Sequence, residues 1–190
     1  MLDRRPLLKT ILDQRPDELL AVSGLGSSTW DLTALGDDHK NFCFIGAMGQ
    51  ASPFALGLAM AQEEKRILLI TGDGELLMSL GVLATIANQA PHNLALLVMD
   101  NESYAETGGQ PTATAGPTDL EQVARGCGIK ATATFRDEGD APEIRRMVLE
   151  ENGPVFINVK VLSNPPALAF PHSFDGATAI DRFRAAVLPK

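Results

Sequence analysis

The sequence predicts an α/β protein: a doubly wound, mainly parallel sheet with helices on both faces. Two short apolar runs, Ile67–Ile70 and Leu94–Met99, are joined by a segment with helical character, Glu75–Ala90. That is a βαβ unit, whose strands lie parallel and end on the same edge. Further apolar runs at Leu19–Val22, Phe42–Ile45, Thr132–Phe135 and Pro154–Val161 alternate with helical segments on short connections. No repeat, low-complexity tract or linker interrupts the series, and 190 residues suit a single domain, 1–190, with a sizeable core at about 19–161.

In chain order, Leu7–Gln14 has helical spacing and stops before Pro16. The strand Leu19–Val22 runs into a small-residue loop, Ser23-Gly24-Leu25-Gly26-Ser27-Ser28-Thr29. The loop partly mimics a dinucleotide fingerprint, but Thr29 stands where the third glycine belongs and no acidic residue ends a second strand to hold a ribose. A hydroxyl-capped helix is expected before Trp30-Asp31-Leu32. After the strand Phe42–Ile45 comes Gly46-Ala47-Met48-Gly49, and then Ser52 as cap with Pro53 in the first turn opens a helix through Ala61. Its small residues allow close packing on the sheet or on another subunit. Helices are expected at Asp119–Arg125 and Pro142–Glu150. From Leu162 the tail, with Pro165, Pro166 and Pro171, reads as irregular apart from a last helix at Ala179–Val187.

Lys plus Arg number 16 against 24 Asp plus Glu, a formal charge of −8 that argues against nucleic acid or an acidic membrane surface as partner. No apolar run reaches the roughly 18 residues of a membrane span, and the N-terminal residues lack the apolar segment of a signal peptide, so a cytoplasmic location is expected. Cys43 and Cys127 have no metal-ligand spacing and are expected to be buried thiols in a reducing compartment.

The chemistry concentrates in two words. Thr71-Gly72-Asp73-Gly74 follows the first run of the central unit and Asp100-Asn101-Glu102-Ser103-Tyr104 the second. Asp73 and Asn101, 28 positions apart, therefore emerge side by side at the carboxyl edge of the sheet, where open α/β sheets bind ligands. A carboxylate and an amide oxygen are hard ligands suited to Mg²⁺ or Ca²⁺, and so small a set suits Mg²⁺, whose shell phosphate oxygens and water complete. Gly72 and Gly74 let the backbone approach closely, and the following helix start offers free N–H groups to a diphosphate. Taken singly, Gly-Asp-Gly is also an ordinary strand-to-helix turn.

Gly72-Asp73-Gly74 followed at this distance by Asp100-Asn101 resembles the thiamine-diphosphate motif of the thiamine-dependent enzymes. The words Gly46 to Ser52 and Tyr104 to Thr112 are similar to the cofactor-binding domain of the sulfopyruvate and phosphonopyruvate decarboxylases, the likeness running from about Ser23 to Val161. The resemblance implies thiamine diphosphate and Mg²⁺ as cofactors, with the metal on Asp73, Asn101 and the backbone carbonyl of Ser103. It places Gly26, Ser27 and Ser28 near the diphosphate and pyrimidine, and makes the Gly46 carbonyl the acceptor for the cofactor's amino group. Met48 becomes the bulky wedge that bends the cofactor, where core packing is the bland alternative. Glu75 departs from the small residue common there, and a carboxylate would repel a diphosphate unless it turns away. The loop Tyr104, Glu106, Thr107, Gly108, Gly109 is expected to close over the site, with Tyr104 lining it. His39, His92 and His172 receive no role.

The resemblance is strongest to the β subunit of a split sulfopyruvate decarboxylase, which converts sulfopyruvate to sulfoacetaldehyde and CO₂. It implies a pyrimidine-domain α subunit that supplies the activating glutamate, a small anionic 2-oxo acid as substrate, and a hetero-oligomer, or a homodimer in the partner's absence. The alternatives are a phosphonopyruvate decarboxylase, another thiamine-dependent lyase or carboligase subunit, or a non-catalytic cofactor-binding partner. Electron transfer is disfavoured, because no iron–sulfur cysteine cluster is present.

Overall fold

The computed structural model describes residues 1–163 and 167–188, so Pro165 and Pro166 lie outside the described residues. In chain order the elements are α1 (Arg4–Leu12), β1 (Leu19–Ser23), α2 (Ser27–Ala34), β2 (Asn41–Cys43), α3 (Ala51–Ala61), β3 (Arg66–Gly72), α4 (Asp73–Leu77), α5 (Val82–Gln89), β4 (Leu94–Asp100), β5 (Ser103–Tyr104), β6 (Gln110–Pro111), α6 (Leu120–Gly126), β7 (Ala131–Phe135), α7 (Ala141–Glu150), β8 (Val155–Lys160) and α8 (Gly176–Val187). Six strands form one sheet in the order β2-β1-β3-β4-β8-β7, with every pair parallel. Strands β5 and β6 form a short antiparallel hairpin apart from it.

Every residue of Leu19–Ser23, Leu94–Asp100 and Val155–Lys160 is buried, as expected for central strands covered on both faces. Their side chains alternate between two cores. One core holds Leu20, Val22, Leu69, Leu96 and Phe156 beneath α3, α5, α6 and α8; the other holds Ala21, Leu68, Ile70, Leu97 and Ile157 beneath α1, α2 and α7. The chain leaves β1 towards β2 on one side and β3 towards β4 on the other. A crevice therefore opens between β1 and β3 at the carboxyl edge, the switch point at which doubly wound sheets bind ligands.

Several expectations are corrected. The helix expected over Glu75–Ala90 is two helices, α4 and α5, separated by a turn at 78–81 that includes Gly81, a poor helix former. The first helix starts earlier, at Arg4, because a first turn tolerates Pro6. Neither α2 nor α3 has a side-chain cap: Gly26 precedes α2, and Ser52 lies buried within the first turn of α3. Strand β2 is short and lies at the sheet's edge, where Cys43 is half-buried; Cys127 is half-buried too, and both thiols are free. Packing also reaches beyond 19–161. Leu2 bridges to Val161 beside β8, and Phe183 of α8 packs against Phe42 with centroids 5.3 Å apart. Among the described residues no helix is long and apolar enough to cross a membrane.

The amino edge, away from the crevice, is fastened by polar caps. Asn93 Nδ2 faces the carbonyls of Ala59, Gln62 and Lys65 at 3.0, 2.9 and 2.9 Å, so two amide protons serve three carbonyls where α3 ends. Arg66 donates to the carbonyls of Val148 and Met147 near the end of α7. Asn93→Ala removes the donor those carbonyls share and should destabilise the chain by about 1–3 kcal/mol in urea denaturation. A change within experimental error would show that water replaces the amide.

Candidate cofactor site

One pocket at the carboxyl edge gathers most of the predicted residues. Gly26, Ser27, Ser28, Met48, Gly72, Asp73, Gly74, Glu75, Asn101, Ser103 and Tyr104 all line it. They come from the ends of β1, β2, β3 and β4, so the sheet's parallel register brings distant stretches of sequence together. Gly46 is absent from this lining; it sits exposed beside the ring of Phe44, two residues before Met48. Met48 itself is half-buried and reaches the pocket.

Asp73 is 2% exposed. Thr112 Oγ1 donates to its Oδ2 at 2.5 Å, and Thr114 Oγ1 lies 3.1 Å from the same oxygen. No cation pairs with it among the described residues. Burial raises the carboxyl's pKa, the Thr112 hydroxyl opposes the shift and the charge of Asp100 adds to it. Buried carboxylates are stable when paired or when coordinating a metal. Among the described residues no hydroxyl donates to the other oxygen of Asp73, Oδ1.

Asp100, fully buried, is held on every side. Its Oδ1 accepts from Thr114 Oγ1 at 2.8 Å and from Glu102 N at 3.2 Å; its Oδ2 meets Lys160 Nζ at 2.7 Å and Asn158 Nδ2 at 3.2 Å. Thr114 has one proton to give and lies between two carboxylates, so it ties Asp73 to Asp100. Lys160 Nζ also reaches Glu102 Oε1 at 2.7 Å. Burial works to lower the pKa of Lys160, and its hydrogen bonds to Asp100 and Glu102 outweigh that and raise it. One ammonium therefore grips the residues on both sides of Asn101. Glu102 is held in the left-handed region, at φ 60°, where side chains other than glycine are uncommon. Asn101 Oδ1 accepts from Ser103 N at 3.1 Å, which fixes the turn and leaves the oxygen a second lone pair.

Glu75 turns towards the chain's own backbone. Its Oε2 accepts from Thr71 Oγ1 at 2.9 Å, and the N–H groups of Leu25, Gly49 and Ala51 face the carboxylate, although Oε1 makes no hydrogen bond. Burial raises its pKa against these contacts. A side chain at Gly24 would overlap Glu75, and a Cβ at Gly74 would lie 2.5 Å from the ring of Tyr104. Glycine at 74 is thus required by Tyr104 lying across it. The loop after Tyr104 is fastened to α2: Glu106 accepts from Ser27 Oγ at 2.7 Å and from Trp30 Nε1 at 3.3 Å.

Sequence reasoning missed Thr112, Thr114, Asn158 and Lys160 as partners of the acidic pair. It also missed Arg4, which lines the pocket from the first helix. Thr112 closed a quoted motif, but nothing in its spacing from Asp73 betrays the contact. The histidines stay outside the pocket: His39 and His172 line a separate cleft between β2 and α8, and the His92 backbone serves the opposite edge.

A family model described as thiamine pyrophosphate enzyme, C-terminal TPP binding domain, matches residues 28–159. The chain belongs to the thiamine pyrophosphate enzymes. This thiamine pyrophosphate enzyme domain is 37% identical over 154 residues to the sulfopyruvate decarboxylase subunit beta of Methanocaldococcus jannaschii, with 81% of each chain covered. It is 36% identical over 159 residues to the corresponding subunit of Methanococcus maripaludis, with 84% of each covered. Against the phosphonopyruvate decarboxylase of Streptomyces viridochromogenes it is 34% identical over 188 residues, 95% of this chain but 45% of that longer protein. Two solved structures share the fold, each with a TM-score of 0.71. A putative thiamin diphosphate-dependent enzyme from Mycobacterium smegmatis is 21% identical, with 85% of this chain and 32% of the other covered. The 2-oxoglutarate:ferredoxin oxidoreductase from Magnetococcus marinus is 16% identical, with 98% and 74% covered.

The acidic network makes a quantitative claim. Lys160→Met leaves Asp100 buried without its cation and should cost about 3–5 kcal/mol of stability, whereas adding Asp100→Asn to that variant should recover part of the loss. Denaturant titration of the three proteins checks it; strictly additive losses would show that the pair is not coupled.

Proposed function

We propose that this chain is the β subunit of a thiamine-diphosphate- and Mg²⁺-dependent decarboxylase that converts the anionic 2-oxo acid sulfopyruvate to sulfoacetaldehyde and CO₂ in the cytoplasm. The observation that carries the cofactor reading is Asp73: a buried carboxylate at the switch point, supported by two hydroxyls and, among the described residues, by no cation. A divalent ion bearing a diphosphate supplies the missing charge. The β-subunit assignment is supported by the relatives named sulfopyruvate decarboxylase subunit beta, each matched over more than four-fifths of its length.

Asp73, Asn101 and the Ser103 carbonyl would hold Mg²⁺. Gly72, with open space beside it, would admit the diphosphate, Gly74 would adjoin it under Tyr104, Gly26, Ser27 and Ser28 would border it, and Glu75 would keep its charge away by facing backbone N–H groups. When bound, thiamine diphosphate supplies a nucleophilic thiazolium carbon and an electron sink for the carboxylate's electrons. The protein's own work is orientation and exclusion of water. Met48 would wedge between the cofactor's rings, the Gly46 carbonyl would accept from its amino group, and Tyr104 with the loop that Glu106 fastens to α2 would cover the pocket.

The pocket measures about 130 Å³, below the roughly 300–1,000 Å³ of ordinary small-molecule sites, which supports a surround shared with a partner. The pocket's acidic side chains are also committed: Asp31 to two arginines, Glu75 to Thr71 and Glu106 to α2. A pyrimidine-domain α subunit would contribute the activating glutamate. The outward side of α3, with Pro53, Gly57 and Met60 exposed, is an apolar surface such an assembly could cover. A phosphonopyruvate substrate would use the same groups, and a comparison of the two substrates on the assembled enzyme separates them.

Asp73→Ala should weaken Mg²⁺-dependent thiamine diphosphate binding by about 1.5–3 kcal/mol in calorimetry of the assembled complex. Unchanged affinity would remove Asp73 from the metal site. Met48→Ala should reduce turnover more than cofactor affinity, and wild-type values of both would make Met48 simple packing. The function itself is tested by co-expression with a pyrimidine-domain chain. Sulfopyruvate turnover is expected from the complex and negligible turnover from the isolated chain. Full activity without the partner would overturn the β-subunit assignment.

A further inference from the structure

Arg4 and Arg5 occupy the first turn of α1, with no acidic residue in that turn and no side-chain cap from Asp3. Cations are disfavoured at a helix N-terminus, so two arginines there work against the local structure. Where a local rule is broken, a function or a tertiary partner usually accounts for it. A tertiary partner exists for one charge. Arg5 Nε donates to Asp31 Oδ1 at 3.0 Å, and the same guanidinium also donates to the carbonyl of Ala167. Arg4 Nε approaches Asp31 Oδ2 at 2.9 Å, but that oxygen makes no hydrogen bond, so the contact is an ion pair without aligned donors. Asp31 is the one carboxylate within ion-pair distance of both guanidinium groups among the described residues, and the exposed Asp3 acts on it from farther off.

Position decides where the Arg4 charge acts. Leu2 pairs with Val161, just past the carboxyl end of β8, so α1 begins on the edge of the sheet that carries the site. The Arg4 side chain is 4% exposed, makes no hydrogen bond to the described residues and lines the cofactor pocket with Ser27, Ser28, Asp31 and Asn101. It is the one basic side chain among the described lining residues; Asp31, Asp73, Glu75 and Glu106 are all acidic. A desolvated guanidinium with unused donors is suited to the paired oxygens of a tetrahedral oxyanion.

We propose that Arg4 is the anion-receiving residue of this pocket, binding a tetrahedral oxyanion of the phosphoryl or sulfonyl type, while Asp31 holds both Arg4 and Arg5 in place. The inference deepens the function proposed above and rests on it for the ligand's source: the diphosphate of the cofactor or the anionic group of the 2-oxo acid. Arg5 and Asp31 are then positioning residues, which keep the Arg4 charge in the pocket without contacting the ligand.

Binding of inorganic pyrophosphate with Mg²⁺, and separately of thiamine diphosphate with Mg²⁺, is measured by calorimetry on the full chain assembled with its partner. Wild type is compared with Arg4→Met and Arg4→Lys. If the diphosphate is the ligand, Arg4→Met weakens both at least tenfold and flattens their dependence on salt, and Arg4→Lys falls between. If the substrate is the ligand, diphosphate affinities stay unchanged, while KM for the sulfonate- or phosphonate-bearing 2-oxo acid rises at least tenfold and KM for uncharged-tailed pyruvate does not move. Should Arg4→Met fail to fold, Arg4→Lys alone decides, since it keeps the charge but loses the paired donors. Equal affinities and equal KM values in every variant that folds would overturn the proposal and leave Arg4 a structural partner of Asp31. A wild-type protein that binds pyrophosphate in an Arg4-dependent way but fails to bind thiamine diphosphate would overturn the proposed function and leave this inference standing.

Discussion

The site depends on the buried charge of Asp73. The sheet delivers this carboxylate to a position with little water, and among the described residues nothing basic reaches it. Desolvating a carboxylate without a counter-ion is costly, and hydroxyl donors offset only part of the cost. The neighbouring Asp100 makes matters worse through its own charge, and Lys160 neutralises Asp100 rather than Asp73. Such an arrangement leaves a standing attraction for a divalent cation. The same feature that strains the chain by itself would drive metal and diphosphate binding, and the fold would be stabilised by what it binds.

Around that charge the parallel sheet performs a geometric task. Residues 58 positions apart in sequence bond directly because β4 and β8 are adjacent and in register, with Asp100 opposite Lys160. The network runs from Asp73 through Thr114 and Asp100 to Lys160 and Glu102, and so spans both proposed metal-binding words. A shift in one word is then felt in the other. Glu75 does a comparable service on the opposite side of the crevice, where its carboxylate faces backbone from the loops after β1 and β2.

Much of this was legible in the sequence. The apolar runs announced the strands because central parallel strands are buried on both faces, and the 28-residue interval between Asp73 and Asn101 followed from one βαβ unit. Glu75, although it lines the pocket, accepts from Thr71 and faces backbone N–H groups. What stayed hidden was set by contacts distant in sequence. The link from Thr112 to Asp73 spans 39 residues and forms only because the β5–β6 hairpin folds back over α4. Lys160 reads as the polar end of an apolar strand until its neighbour is known to be β4. Arg4 and Arg5 drew no reading from the sequence, since nothing local shows that α1 begins beside the site. The misplaced hydroxyl caps have a related cause: Ser28 and Ser52 are buried inside the first turns of their helices, so their hydroxyls do not occupy the cap position.

The most direct measurement replaces Mg²⁺ with Mn²⁺ and reads the ion's ligands by pulsed electron paramagnetic resonance. With thiamine diphosphate present, the wild-type chain in its assembly should show phosphorus coupling to a tightly bound Mn²⁺. Asn101→Ala should lose that coupling or release the ion. Manganese that binds equally well without the diphosphate, or whose phosphorus coupling persists unchanged in Asn101→Ala, would contradict a metal–diphosphate site built on Asp73 and Asn101.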